Sequence, residues 1–206
     1  PRILTALADG KIISVISDAG TPLISDPGYK LVREAVERGI AVHAMPGASA
    51  VLAGLSISAL PTDAFLFAGF LPPRQAARRT RLTELSNVPA TLVLFEAPTR
   101  LADTLSDIAT TLGDRPISVA RELTKLHEEF LRGTPHEIHA TLAARPSVKG
   151  EITLLIAKGE PIADTTPIPE AVAALEAQGI PRMDAIKQVA KSRGLNKRAV
   201  YKAVSE

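Results

Sequence analysis

Residues 12–28 read IISVISDAGTPLISDPG and decide the fold class. The apolar run at 12–16 predicts a buried strand, and the turn-forming stretch after it predicts a loop. Asp26 and Pro27 favour a helix start, because Asp accepts hydrogen bonds from free amides and Pro fits the first helical turn. A second apolar run at 40–45 predicts another strand. Strand, helix and strand in this order predict parallel pairing with a right-handed crossover, and therefore an α/β fold.

The same kinds of pattern continue to about residue 160. Strands are predicted at 64–70, 91–95, 117–120, 129–132 and 152–157, and helices at 50–59, 74–86, 98–112 and 135–143. The helix at 50–59 has no polar face, so we expect it to be buried. Breaks in the pattern predict three domains, at 1–61, 62–160 and 161–206, the last formed by a linker and helices at 169–178, 182–192 and 197–204.

Composition excludes several classes of protein. The 206 residues are 46% hydrophobic, which excludes wholesale disorder, and contain no Cys, which excludes a disulfide framework. No apolar run approaches the roughly 20 residues that span a bilayer, and no signal peptide opens the sequence. We therefore expect a cytoplasmic protein without a membrane segment. His136 and His139 have no third ligand near them in sequence, so no metal site is expected.

The end of the chain is basic. Seven basic and two acidic residues give residues 181–206 a net charge of +5, and because the whole chain carries +2 the remainder carries −3. Ala190, Gly194 and Val200 have the spacing of a helix–turn–helix unit. From the charge alone, a solvated helical face and an anionic partner are equally compatible. The helix–turn–helix spacing also fits a small helical hairpin packed on the body, and the basic residues on or near its last helix favour a nucleic-acid contact.

Two loops at predicted strand ends have the composition of ligand loops. Gly20 allows close approach of a ligand to the backbone, and Ser49 follows Pro46-Gly47-Ala48 at a helix start, where free amides and a hydroxyl are available. An ordinary strand–helix turn and close helix–sheet packing explain the same residues, so both readings stay open.

Two further segments are charged. Glu96 and Arg100 follow the strand at 91–95, and five charges lie between Arg121 and Glu129. A solvated cluster of ion pairs is the commoner explanation of such a segment, and a lining of a cleft is the alternative.

Taken in order, the segments ISDAGTPLISDPG, MPGASA, LFEAPTR, RELTKLHEE and KGEITLLIAKG resemble the ribosomal RNA small subunit methyltransferase I family, a branch of the tetrapyrrole methylases. The resemblance runs from about residue 10 to residue 160. It implies two α/β domains with S-adenosylmethionine between them, followed here by a small helical, helix–turn–helix-like domain, and a homodimer. By position, it implies cofactor contacts from Ala19, Gly20, Thr21, Ile24, Ser49, Ala50, Phe95, Glu96 and Leu123.

Family members begin with a strand, a Gly/Pro-rich loop and an acidic-Arg segment, and none of these precedes residue 12 here. We therefore expect the N-terminal α/β domain of this chain to be incomplete.

The family resemblance implies transfer of a methyl group to the ribose 2′-hydroxyl of a cytidine in small-subunit ribosomal RNA, free or in the 30S subunit. Such a weak nucleophile needs a nearby base or cation, and the best candidates are Glu96, Arg121, Glu122 and Lys125. Phosphate contacts are expected from Arg74, Arg78, Arg79, Arg81, Lys187, Lys191, Arg193, Lys197, Arg198 and Lys202. The alternatives are a tetrapyrrole methyltransferase, which needs no basic tail, and a nucleic-acid-binding regulator.

Overall fold

The computed structural model describes residues 2–159 and 166–205. The chain forms two compact units, residues 1–159 and 160–206. The change of unit coincides with the predicted linker. The division expected after residue 61 lies inside the first unit and stays a prediction.

The first unit contains six helices and five strands among its described residues. The helices are α1 (Arg2–Ala8), α2 (Tyr29–Glu37), α3 (Ala50–Ile57), α4 (Gln75–Leu85), α5 (Leu101–Leu112) and α6 (Pro135–Ala143). The strands are β1 (Phe65–Phe70), β2 (Thr91–Glu96), β3 (Ile117–Arg121), β4 (Glu129–Gly133) and β5 (Ile152–Ile156). From residue 64 onward every predicted strand and helix is present, with ends displaced by a few residues.

The five strands form one mixed sheet in the order β1-β2-β5-β3-β4. β1 pairs with β2 in parallel, and the other neighbouring pairs are antiparallel. Because β2 and β5 run in opposite directions, the end of β2 at Glu96 lies opposite the start of β5 at Ile152. This register brings two segments that are far apart in sequence to one edge of the sheet.

The sheet is covered on both faces. Alternate residues of β2 point to opposite sides: Leu92 and Leu94 belong to the larger core beneath α4, α5 and α6, whereas Val93 packs with α3. β5 divides in the same way, since Leu155 lies on the α3 side. Strands buried on both faces favour apolar residues at most positions, which explains the runs 92–95 of β2 and 154–156 of β5.

The strands predicted at 12–16 and 40–45 are wrong. Both segments are irregular in the structure and belong to no sheet. Their apolar side chains are open to solvent, with Ile12 98%, Ile16 88% and Met45 85% exposed. An apolar run becomes a strand only where a neighbouring strand pairs with its amides and carbonyls, and here no neighbour pairs with either segment.

Helix α3 is only partly buried, contrary to the prediction for 50–59. Val51 and Leu55 pack against the sheet, but Leu52 is 56% and Ile57 43% exposed. A helix that packs on one side leaves its other side open even when that side is apolar. The N-terminal helix α1 was not predicted.

The second unit contains α7 (Ile168–Ala177), α8 (Arg182–Ser192) and α9 (Lys197–Ser205), as predicted within one or two residues. Val172, Ile186, Val189 and Val200 form its own apolar core. Gly194 has a φ of +61° between α8 and α9, a left-handed conformation that suits Gly at a helix end. None of the helices described in either unit has the length and apolar character needed to cross a bilayer.

Candidate active site

A cavity of about 410 Å³ lies in the first unit. One side, the loop wall, consists of Ala19, Gly20, Thr21, Ile24, Ser25, Asp26, Ser49, Ala50 and Val51. The other side, the sheet wall, consists of Phe70, Phe95, Glu96, Ala97, Pro98, Gly150, Glu151, Ile152 and Thr153. The volume lies within the range of small-molecule sites, about 300–1,000 Å³.

The sequence-predicted cofactor residues meet at this cavity. All of them except Leu123 line it. Leu123 lies behind the lining, near Gly54 of α3: a Cβ on Gly54 would be 3.7 Å from Leu123 Cδ1. The two loops predicted from composition alone therefore lie together at one cavity.

Few hydrogen bonds hold the loop wall. Thr21 Oγ1 donates to the Ala48 carbonyl at 3.0 Å and joins the two loops. The Ser17 hydroxyl donates to the Asp26 carboxylate and ties the ends of the first loop together. Ser49 Oγ accepts from Leu52 N at 3.4 Å, so this hydroxyl caps α3. Caps of this kind leave the neighbouring amides of the first turn available to a ligand.

The first loop has an unusual backbone. Gly20, Leu23 and Ser25 have φ values of +69°, +72° and +61°. Left-handed conformations are unfavourable for Leu and Ser because of their Cβ atoms, and such conformations are concentrated at functional sites. The first loop therefore has the kind of backbone that is typical of a functional site.

Glu96 anchors the sheet wall. This residue is 3% exposed, and both carboxylate oxygens accept hydrogen bonds. Oε2 accepts from Thr104 Oγ1 at 2.7 Å, while Oε1 accepts from Ala97 N at 2.7 Å and lies 2.5 Å from Arg100 Nη2. These contacts fix the turn that carries Ala97 and Pro98, so the geometry gives Glu96 a positioning role more readily than that of a base.

Two aromatic rings give the sheet wall an apolar surface. The rings of Phe70 and Phe95 meet edge to face with centroids 5.7 Å apart. Phe70 is 54% exposed. An exposed ring at the rim of a cavity can stack on a planar heterocycle such as adenine.

Arg121 belongs to an ion-pair cluster beside the sheet and does not line the cavity. Its Nε lies 3.0 Å from Glu129 Oε2, and Arg145 donates through both terminal nitrogens to the same carboxylate, at 2.7 and 2.6 Å. Hydrogen bonds from Arg145, and then from Arg121, outweigh the effect of burial and lower the pKa of Glu129 to about 2.

Glu122 and Lys125 do not line the cavity but contact Glu151, which does. Lys125 Nζ is 3.0 Å from Glu122 Oε1 and 3.2 Å from Glu151 Oε2. Of the four predicted catalytic residues, only Glu96 lines the cavity. Their catalytic assignment stays a prediction.

Several lining residues were missed. Gly150, Glu151 and Thr153 enter the cavity from the start of β5; the sequence singled out Lys149-Gly150-Glu151 as a segment that could carry chemistry but assigned no cofactor contact to it. The signal that could have found them is the Gly directly before an apolar strand, since Gly at a strand end often marks close approach of a ligand. Asp26 and Phe70 also line the cavity without having been predicted.

The predicted phosphate contacts on α4 do not form one surface. Arg78 is buried, and its Nε lies 2.6 Å from Asp107 Oδ2, so it faces the interior and cannot reach RNA. The prediction placed it on the surface because its charge was counted without its partner on α5. Arg79 also bonds Asp107, at 2.6 Å, and Arg81 pairs with Glu84 at 2.7 Å. Arg74 is exposed at the start of the helix.

In the second unit the predicted basic residues are mostly on the surface. The exposed ones are Lys187, Lys191, Lys197, Arg198 and Lys202, and Arg193 is half-buried. Lys187 pairs with Asp184 at 2.7 Å. Within residues 2–159 and 166–205, no group of three or more His, Cys, Asp or Glu could hold a metal ion.

Comparison with known sequences decides the family. Residues 2–139 match the family described as Tetrapyrrole (Corrin/Porphyrin) Methylases. The chain is 44% identical to the ribosomal RNA small subunit methyltransferase I of Mesorhizobium japonicum, over all of this chain and 70% of that one. This chain belongs to the ribosomal RNA small subunit methyltransferase I branch of the tetrapyrrole methylase family. The protein of the same name from Mycobacterium tuberculosis is also 44% identical, over 98% of this chain and 71% of that one.

Two solved structures share the fold at low sequence identity. The methyltransferase CobJ aligns with a TM-score of 0.56 at 16% identity, over 76% of this chain and 69% of its own. The uroporphyrin-III C-methyl transferase of Thermus thermophilus, solved in complex with S-adenosyl homocysteine, aligns with a TM-score of 0.50 at 20% identity, over 77% of this chain and 71% of its own. The tetrapyrrole-methylase fold predicted from the sequence motifs is thus confirmed.

Proposed function

We propose that this protein is an S-adenosylmethionine-dependent methyltransferase that methylates the ribose 2′-hydroxyl of a cytidine in small-subunit ribosomal RNA. The observation that carries the proposal is the cavity, whose two walls are formed by the segments that place the chain in its family. The names of the relatives at 44% identity supply the class of substrate.

The lining of the cavity fits S-adenosylmethionine. Small residues of the loop wall expose backbone amides and carbonyls to polar groups of a ligand, and the Phe70 and Phe95 rings offer an apolar surface to an adenine. The relative from Thermus thermophilus was solved with S-adenosyl homocysteine, which is the cofactor after loss of its methyl group. When bound, the cofactor supplies an electrophilic methyl group on a sulfonium.

The residues of this chain then bind the cofactor, orient the ribose and exclude water. The ribose hydroxyl must be held in line with the methyl group, and an error in alignment slows the transfer strongly. Of Glu96, Arg121, Glu122 and Lys125, which the sequence predicted to assist the hydroxyl, only Glu96 lines the cavity. Because both oxygens of Glu96 already accept hydrogen bonds, we assign Glu96 to holding the Ala97–Pro98 turn of the sheet wall.

The basic residues of the second unit are proposed to bind phosphates. Lys197, Arg198 and Lys202 lie on α9 and are exposed, as counterion release requires. The double variant K197A/R198A should bind 30S subunits more weakly and with a shallower dependence on salt. The matched control is R33A/R38A, which removes two exposed cations from α2 and should leave RNA binding unchanged.

We also propose that the protein acts in the cytoplasm as a homodimer. Three exposed apolar side chains are Leu52 and Ile57 on α3 and Leu126 in the 122–128 segment. An interface between two copies would remove them from water. Sedimentation equilibrium should give twice the mass of the chain, and a monomer at all concentrations would contradict the proposal.

Transfer of a labelled methyl group from S-adenosylmethionine tests the activity directly. We expect label in small-subunit RNA at a ribose, either with 30S subunits or with naked RNA, and none in a porphyrinoid. Label in a uroporphyrinogen and none in RNA would show a tetrapyrrole methyltransferase instead. That is the activity for which the solved Thermus thermophilus protein is named. RNA binding without transfer of the methyl group would favour the alternative of a nucleic-acid-binding regulator.

A further inference from the structure

The turn that follows β3 has a conformation that its residues do not favour. Glu122 and Thr124 have φ values of +51° and +64°, in the left-handed region that residues with a Cβ adopt unwillingly. Such a turn persists only where surrounding contacts determine it, and these turns are concentrated near functional sites. The contacts that hold this one lead to the cavity.

Glu122 makes two reciprocal hydrogen bonds with Glu151. The backbone N–H of Glu122 donates to the Glu151 carbonyl at 2.9 Å, and the backbone N–H of Glu151 donates to Glu122 Oε1 at 2.8 Å. Lys125 Nζ lies 3.0 Å from the same Glu122 oxygen and 3.2 Å from Glu151 Oε2. We refer to Glu122, Lys125, Gly150 and Glu151 as the clasp.

Gly150 fits the clasp because it has no side chain. Its φ is +98°, and a Cβ built on it would collide with the Glu122 side chain, including Glu122 Oε1 at 2.6 Å. The space beside Gly150 is therefore filled by the carboxylate that holds Glu151. Both the close packing of Glu122 against Gly150 and the hydrogen bonds between Glu122 and Glu151 therefore favour one position for residues 150–151.

The segment held in this way is part of the sheet wall. Gly150 and Glu151 line the cavity, whereas Glu122 and Lys125 do not. Both lining residues precede Ile152, where β5 begins, so the ladder pairs of the strand do not include them. The hydrogen bonds to Glu122 take the place of that ladder.

We propose that Glu122 is a positioning residue, which holds the Gly150–Glu151 part of the cavity wall in the geometry that S-adenosylmethionine binds. This role rests on the proposed function of the cavity as the cofactor site. It replaces the prediction of Glu122 as a base, because Glu122 does not line the cavity and its Oε1 already accepts from Glu151 N and Lys125 Nζ. Hydrogen bonds from the Glu151 amide, and then from Lys125, also lower the pKa of Glu122, which makes it a weaker base.

Four variants separate the parts of the clasp. Glu122→Ala removes the acceptor for Glu151 N, whereas Glu122→Gln keeps an oxygen there and loses only the charge. Lys125→Ala removes the ion pairs of Lys125 with Glu122 and Glu151 and leaves both hydrogen bonds between Glu122 and Glu151 intact. Gly150→Ala introduces the Cβ that collides with Glu122. Glu37→Ala, which removes an exposed ion pair on α2, is the control.

The affinity for S-adenosylmethionine is measured by calorimetric titration of each full chain. Loss of a hydrogen bond that orders the wall should weaken binding by about tenfold in Glu122→Ala, and by less than about threefold in Glu122→Gln and Lys125→Ala. Gly150→Ala should weaken binding strongly by itself, but less when added to Glu122→Ala, because the colliding side chain is then gone.

Two further measurements separate positioning from a loss of the fold. The melting temperature of Glu122→Ala should stay close to that of the control, while hydrogen exchange at the amide of Glu151 becomes faster. If Glu122→Ala binds as tightly as the unchanged chain, or if exchange at Glu151 does not change, the positioning role is overturned and the proposed function stands. If the unchanged chain binds neither S-adenosylmethionine nor S-adenosyl homocysteine, the proposed function fails and the clasp's role fails with it.

Discussion

The two walls of the cavity are built in different ways. In the sheet half, residues 65–157, the central strands β2 and β5 are buried almost completely and paired on both sides. In the loop half, residues 2–60, the segments beside the cavity have no strand partners, and large apolar side chains such as Ile12 and Met45 are exposed. The difference teaches that the sheet wall is fixed by the core, whereas the loop wall is joined to the core through α3 and elsewhere depends on hydrogen bonds between loops.

The sheet half also contains the buried charges. Asp107 of α5 is fully buried and accepts from Arg78 Nε and Arg79 Nε, each at 2.6 Å. Burial alone would raise the pKa of Asp107, but the hydrogen bonds from Arg79 and Arg78 outweigh it and lower the pKa below its usual value. In the loop half the ion pairs are exposed ones on α2, such as Arg33–Glu37 at 3.5 Å. We therefore expect substitutions in the two halves to differ in size.

The largest effect is expected at Asp107. Asp107→Ala leaves Arg78 buried without its carboxylate, which should destabilise the chain by about 3–5 kcal/mol. Urea unfolding followed by circular dichroism measures this change. Glu37→Ala in the loop half is the comparison, and it should change the free energy of unfolding by less than about 0.5 kcal/mol. Equal effects of the two substitutions would remove the distinction between the halves.

Glu96 should show the next largest effect. Glu96→Ala leaves the buried Thr104 hydroxyl without its acceptor and unpairs Arg100, so we expect a loss of about 2–3 kcal/mol. Glu96→Gln keeps the shape and one acceptor and should lose less. The same unfolding measurement applies, and a loss in Glu96→Gln equal to that in Glu96→Ala would show that shape contributes nothing.

Glu129 predicts a pH dependence of stability. Its pKa is held at about 2 by Arg145 first and by Arg121, against 4.5 for a free Glu. A lowered pKa means that the stabilisation is complete above about pH 4.5 and is lost as the pH falls toward 2. With a discount for partial exposure, its size is on the order of 2 kcal/mol.

The variant Glu129→Gln tests this sign. The difference in unfolding free energy between the unchanged chain and the variant should be full at pH 6 and shrink steadily below pH 4.5. A difference that grows on acidification, or that does not depend on pH, would contradict the arrangement of Glu129 between two Arg side chains.

The smallest effect is expected in the loop wall. Thr21→Val removes the 3.0 Å hydrogen bond to the Ala48 carbonyl, which joins two exposed loops, and should destabilise the chain by only about 0.5 kcal/mol. Hydrogen exchange at residues 19–26 should nevertheless become faster, because few other contacts hold this loop. A loss of several kcal/mol would mean that the loop wall is as firmly built as the sheet wall.

The sequence predicted the sheet half well for a physical reason. Its central strands β2 and β5 are buried on both faces, so most of their residues are apolar, and the start of α6 has a Thr134–Glu137 capping box. The loop half was predicted less well, because residues 12–16 have the apolar character of a strand but no partner to pair with. A local sequence pattern shows that a segment is apolar, but it does not show whether a neighbouring strand is present to pair with it.

The candidate site shows the same division. Gly20 and Ser49 were predicted from the composition of their own loops, and Phe95 from the family resemblance. Gly150 was missed as a lining residue because its place depends on the antiparallel pairing of β5 with β2, which sequence order does not reveal. Arg78 was misassigned since its partner lies on another helix, 29 residues away.

The measurement that tests the central claim most directly is hydrogen exchange of the chain with and without S-adenosylmethionine, read residue by residue. Binding in the cavity should protect amides in both walls at once, at residues 19–26 and 49–51 of the loop half and at residues 95–98 and 150–153 of the sheet half. Protection should be greater in the loop wall, which is less constrained before binding. Saturable binding with protection outside these four segments, or no binding, would contradict the assignment of this cavity as the cofactor site.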